Sequence, residues 1–258
     1  MTTIYNMQSP PPYYDEKQVN RYSYEENGGV IDSDNTMSRG VRKGFIRKVY
    51  SLLTLQMLFT IGVTSFFIAS DDAQKFAVSN AGQALVWISL VMIIGLMIGM
   101  YCNPNMVKKY PTNYVVLFSF TGCMSYIVGI TTASYQVNSI LIAFGATAGV
   151  TISLTIYAWQ TKYDFTTKGG ILLGSLVGII VLGIINAFVR NPILHIVISA
   201  AGVVIFSAYI VYDTQLIVGG KHRKIQFGID DYVLATITLY LDIINLFLYL
   251  LDLINNRD

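Results

Sequence analysis

Charge is what this chain has least of. Only 12% of its 258 residues are Asp, Glu, Lys or Arg, about half the share of an ordinary soluble domain. That deficit excludes a conventional soluble globule. The net charge of +2 is also too small to hold a nucleic-acid backbone. Cysteine is nearly missing: Cys102 and Cys123 both lie in or beside apolar stretches, so no disulfide framework is available. His195 and His222 stand apart, with no Cys or His neighbour at metal-ligand spacing. No nucleophile–base pairing or metal motif is legible, so an enzyme is not expected and no cofactor is implied. An Asn-x-Ser/Thr acceptor does not occur either, so no glycan site marks the side of a membrane on which a loop lies. A cleavable leader is not expected. The first apolar run starts only near Val49, behind a long polar stretch, and reads as an uncleaved anchor.

What the chain has in abundance is apolar length. It is 53% hydrophobic, with a mean hydropathy of +0.53. Seven segments approach the ~20 residues that cross a bilayer: Val49–Ala69, Ala84–Met100, Tyr114–Ile130, Ile140–Ala158, Gly170–Phe188, Ile193–Val218 and Tyr232–Leu253. The connections between them are short and leave no room for a separate catalytic domain. The expected fold is an all-α integral membrane protein, a seven-transmembrane-helix bundle over residues 45–258, in contact with the lipid bilayer.

Residues 1–44 are polar and carry too few aliphatic side chains to bury, so they read as a disordered cytosolic tail. Within them Pro10, Pro11, Pro12 and Tyr13 form a Pro-Pro-x-Tyr run. In polyproline II conformation that run is a ligand type for WW domains, though an ordinary proline-containing linker reads the same way.

Orientation follows from the basic residues at the segment ends. Arg39, Arg42, Lys43, Arg47 and Lys48 precede the first segment. Lys108, Lys109, Lys162, Lys168, Lys221, Arg223 and Lys224 occupy the turns on the same side. Only Lys75, Arg190 and Arg257 fall on the other. The N-terminus is therefore expected in the cytosol. The seventh segment, with Asp242, Asn245 and Asp252, either spans or re-enters.

The polar residues inside the segments point to a site. An ionised side chain in the bilayer interior costs at least ~2.5–3.5 kcal/mol, so it marks a functional hypothesis by default. Asp213 and Asp242 are such residues, on consecutive segments joined by a short charged turn. At the helical rise they lie roughly 8 and 15 Å from the same face, a gap that tilt can close. Two carboxylates that meet in low dielectric cannot both stay ionised, so the pair is a candidate pH-sensitive gate. Losing the shared proton leaves like charges that repel or recruit a cation such as Ca²⁺. Two Asp alone make a poor cage, which suits weak transit binding. Tyr209, Tyr212 and Tyr240 are expected close to the acids, as donors to a carboxylate, with Asn245 as a further supporting residue. Gln56 and Asn186 are expected in interhelical hydrogen bonds. Gly95/Gly99, Gly145/Gly149 and Gly170/Gly174/Gly178 are expected to form packing faces within the chain.

These residues carry a resemblance. The run FIRKVYSLLTLQ, the turn WQTKYDF, and above all YDTQ and YLDIINLFLYLL resemble the Bax inhibitor-1 (TMBIM) family, in its lifeguard and Golgi anti-apoptotic protein branch. The resemblance covers about Phe45 to Leu253. It implies a seven-helix bundle in Golgi, endoplasmic reticulum or related membranes that leaks Ca²⁺ in a pH-dependent way, lowers store Ca²⁺ and suppresses cell death. The family's aspartate sensor falls on Asp213 and Asp242. A basic latch expected from bacterial members has no residue in the second segment, which leaves Arg47 or Lys48 for that role, or no latch at all. Two other readings stand beside the leak. One is a membrane interaction protein acting through cell-death regulators without conducting ions. The other is a proton-coupled cation exchanger.

Overall fold

The computed structural model describes residues 39–220 and 222–255. The Pro10–Tyr13 run lies outside them. Among the described residues there are nine α-helices, of which seven are long and apolar enough to cross a membrane. These seven are α1 (Arg39–Ala69), α3 (Asn80–Cys102), α5 (Thr112–Thr132), α6 (Val137–Gln160), α7 (Gly169–Val189), α8 (Pro192–Val218) and α9 (Tyr232–Asn255). Two short helices, α2 (Asp71–Val78) and α4 (Asn105–Lys108), join them, and short 3₁₀ turns at Phe165–Lys168 and Ile229–Asp231 lead into α7 and α9. The expected segments all fall inside these helices. The first begins earlier than read, because the helix takes in Arg39–Gly44 as well.

Local chemistry sets the boundaries. Ser70 caps α2, whose first turn carries Asp71 and Asp72 where the helix dipole favours negative charge. Ser79 ends that helix and caps α3 by accepting from the Gly82 amide at 3.1 Å. The turn from α7 to α8 is built by polar residues. Arg190 takes a left-handed φ of 53°, and the Asn186 side chain accepts from the Asn191 amide at 3.0 Å. Asn191 then caps α8 ahead of Pro192, accepting from Ile193 and Leu194 at 2.9 and 3.1 Å. Asn186 thus shapes a turn instead of bonding a neighbouring helix.

The core gathers on α5 and α9, the two most buried spans. The α9 helix packs most extensively on α8, and also on α6 and α1, while α1 lies along α5. In lipid there is little hydrophobic drive between helices, so close approach and hydrogen bonds matter more. Gly202 of α8 supplies the approach: a Cβ there would meet the Tyr249 ring at 2.6 Å. Tyr249 in turn stacks on Phe206 with centroids 5.7 Å apart. The glycine stripes at Gly145/Gly149 and Gly170/Gly174/Gly178 do not act in this way. A Cβ at any of them, or at Gly95, meets nothing within 4 Å. They face outward. Gly99 does pack, since a Cβ there would meet the Met106 side chain at 3.3 Å, and the closer approaches fall to Gly129 and Gly202, which a helical period cannot distinguish.

Polar rungs join α1 to α5. Gln56 donates to Thr121 at 2.6 Å, as expected of an interhelical bond. One turn further along, Thr60 meets Ser125 at 2.9 Å and Tyr240 of α9 at 2.8 Å. The seventh helix is continuous, and its Asp252 contacts His195 at 3.0 Å and Ser199 near the start of α8. That full-length antiparallel pairing is the geometry of a complete span, not of a re-entrant segment.

Candidate functional site

The α8–α9 pair brings Asp213 and Asp242 together. Each is 5% exposed, and their carboxyl groups lie within hydrogen-bonding reach of one another. The connection from Gly219 to Gly228 is short enough to hold the helices antiparallel, and it sets Asp213 near the end of α8 against Asp242 in α9, while Asp252 meets the far end of α8. Thr238, one turn before Asp242, lies in hydrogen-bonding reach of Asp213. The second oxygen of Asp242, Oδ2, is buried without a partner among the described residues. So are Oγ1 of Thr214 and the hydroxyl of Tyr50. Tyr50 lies against Trp159 and near Thr214, not against the carboxyl groups, so of the three unpaired atoms only Oδ2 of Asp242 belongs to the acid pair; such groups are ordinarily satisfied by water or an ion.

The supporting residues divide. Tyr209 stands close to both carboxyl groups and Tyr212 close to that of Asp213. Tyr212 also packs under α7, where a Cβ at Gly169 would meet its hydroxyl at 2.7 Å. Tyr240 points elsewhere, into the Thr60–Ser125 rung, because its position on α9 faces α1 and α5. Asn245 is not a partner of the acids either: its amide donates back to the Leu241 carbonyl at 2.8 Å. Arg47 is exposed, and among the described residues no basic side chain pairs with either aspartate. Lys48 lies over the Tyr232 ring at 3.3 Å. The basic latch is absent from this arrangement.

A different arginine does bind α8. Arg42 is 8% exposed and donates to the Ile217 carbonyl at 3.3 Å, to Phe227 at 3.0 Å and to the Gln226 side chain. It satisfies one carbonyl at the C-terminal end of the helix that carries Asp213, an orientation the helix dipole favours, and ties that end to the connection that follows. In sequence it was counted only as a topological charge. Nothing in its spacing separates it from its neighbours Lys43 and Arg47.

Two motifs noted separately in sequence form one joint. Gln215 of YDTQ accepts from the Phe165 amide at 2.8 Å and donates to the Tyr163 carbonyl at 3.0 Å, both in WQTKYDF. Arg223 caps the end of α6, donating to Ala158 at 3.1 Å, Thr161 at 2.7 Å and Tyr163. Asp164 accepts from Thr166 and from the Lys224 amide at 3.0 Å. Partial burial raises the Asp164 pKa, but these bonds and the nearby Arg223 outweigh it and hold the carboxyl below its ordinary value. The connections after α6 and α8 are therefore interlocked beside the acid pair.

A seven-helix membrane bundle with a buried carboxyl pair between its last two helices is the class this geometry defines. The family model described as "Inhibitor of apoptosis-promoting Bax1" matches residues 42–258. The chain is 32% identical over 224 residues to human "Protein lifeguard 3", covering 85% of this chain and 71% of that protein. It is 34% identical over 232 residues to "Golgi anti-apoptotic protein" of vaccinia virus (strain Lister), covering 90% of this chain and 93% of the relative. The chain belongs to the Bax inhibitor family of membrane proteins.

Proposed function

We propose that this protein is a pH-sensitive Ca²⁺ leak of intracellular membranes, with Asp213 and Asp242 as its gate. The observation that carries the reading is the juxtaposition of two buried carboxyl groups, within hydrogen-bonding reach of one another, that have no basic partner among the described residues. A shared proton holds α8 to α9. Its loss leaves two like charges in low dielectric, which either part the helices or admit a divalent cation. The unpaired Oδ2 of Asp242 supplies a further oxygen ligand or water site there. Two carboxylates fall well short of a full oxygen cage for Ca²⁺, which suits weak transit binding, as conduction requires.

The name of the viral relative supports placement in Golgi membranes, with the endoplasmic reticulum as the neighbouring store. Basic residues before α1 support a cytosolic N-terminus. Lowered store Ca²⁺ is then the route to suppression of cell death. Pro10–Tyr13 remains a proposed ligand for WW-domain partners.

The test is to compare Ca²⁺ flux from reconstituted liposomes with protection of cells from death, using the double variant Asp213→Asn, Asp242→Asn. Joint loss of pH-dependent flux and protection is expected. Protection that survives the loss of flux transfers the function to partner binding instead, and flux coupled stoichiometrically to protons makes the protein an exchanger.

A further inference from the structure

Away from the acid pair, α1 and α6 diverge and leave a cleft of about 430 Å³ with α9 as its floor. That volume falls in the range of sites for small organic ligands, ~300–1,000 Å³. The cleft opens where Ile61, Leu141, Phe144 and Ile152 are all more than a third exposed. These residues belong to spans, so the medium at the mouth is lipid.

Its chemistry is specific. The side chains lining it are apolar apart from hydroxyls, and none is charged. Thr60 is satisfied by Tyr240 and Ser125, and Thr147 by the Ala143 carbonyl at 2.7 Å. Thr64 is not satisfied. It is 9% exposed, it lines the cleft, and its Oγ1 has no hydrogen-bond partner among the described residues. Oγ1 of Thr151, on the facing helix, is buried and has no partner among the described residues either. A buried hydroxyl without a partner in hydrocarbon carries the full desolvation cost, so an occupant with a hydroxyl of its own is favoured.

Dimensions narrow the choice. From Met57 to Ile68 the α1 wall runs roughly 17 Å at the helical rise, close to the ~15 Å hydrocarbon depth of one leaflet. Thr64 stands roughly 8 Å inside the α1 terminus at Ala69, near the polar edge. A phospholipid or fatty acid would bring a phosphate or carboxylate, for which the lining has no cation. We propose that the cleft binds a membrane sterol, its ring system against Phe144 and the isoleucines and its hydroxyl paired with Thr64. Ile243 and Ile244 of the floor adjoin Asp242, so occupancy bears on the helix that carries the acid.

The test uses the whole protein in phosphatidylcholine vesicles containing a diazirine-bearing cholesterol, with photolabelled peptides mapped by mass spectrometry. Label is expected on the α1 and α6 peptides that line the cleft and is suppressed several-fold by excess cholesterol. It should be suppressed several-fold less by 5α-cholestane, which lacks the hydroxyl. Thr64→Val, nearly isosteric, should lower labelling several-fold, and Ala148→Phe should abolish it by filling the space. If Ala148→Phe fails to fold, Thr64→Val and the cholestane comparison carry the test. Label spread around the bundle, label indifferent to Thr64→Val, or equal competition by dioleoylglycerol would overturn the proposal.

Discussion

The guanidinium of Arg42 donates to the carbonyl of Ile217, one helical turn beyond Asp213 on the same helix. The first span is thereby fastened to the end of the helix that carries half of the acid pair. Charged hydrogen bonds of this kind contribute about 1.5–3 kcal/mol each and are not additive. Arg42→Ala is expected to cost about 2–3 kcal/mol, read as a lower Tm in detergent. Arg42→Lys should recover less than half of that, because a single ammonium cannot reach three acceptors with the geometry of the planar fork.

Gly219 sits beside that contact at φ 60° and ψ −153°, a region almost closed to other residues. A Cβ there would also meet the Arg42 guanidinium at 2.5 Å. Gly219→Ala should therefore cost about 1–3 kcal/mol from backbone strain, and more if Arg42 is displaced. The converse holds at Arg190, whose φ of 53° is left-handed. Arg190→Gly should raise Tm slightly, and a fall would contradict the strain argument.

Asp164 gives the loop joint a pH dependence. Its pKa lies below the ordinary 3.8 in the folded protein, so it adds stability above that value and loses it as pH falls through the depressed one. Asp164→Asn should lower Tm at neutral pH, with the two proteins converging as the medium is taken below 3.8. Parallel Tm curves over the whole range would count against this role.

Tyr240 and Tyr209 separate packing from gating. Tyr240→Phe breaks the rung to Thr60 and Ser125, worth about 0.6 and at most ~1.7 kcal/mol for such bonds in membranes. It should lower stability and leave the pH profile of flux in place. Tyr209→Phe, beside both carboxyl groups, should shift that profile. A shift in the first variant and none in the second would reverse the assignment.

Much of this was legible in the chain. Seven apolar runs gave the spans to within a few residues, since burial in lipid demands length and little else. Asp213 and Asp242 stood out because charge in such runs is costly. What stayed hidden depends on the direction a side chain takes around its helix. Tyr240 and Asn245 lie near Asp242 in sequence yet turn to Thr60 and to Leu241. The outward glycines of α7 have the same period as a packing stripe. Arg42 and Gln215 act through backbone groups of distant connections, which no local pattern marks.

The most direct measurement is Ca²⁺ flux from liposomes between pH 5 and 8, for the natural protein, Asp213→Asn, Asp242→Asn and the double variant, each shown to be folded. If one shared proton sets the gate, the natural protein has a pH-dependent flux, and each single variant flattens it as fully as the double. A double variant that keeps the natural pH profile, or a natural protein without flux at any pH, would contradict the account.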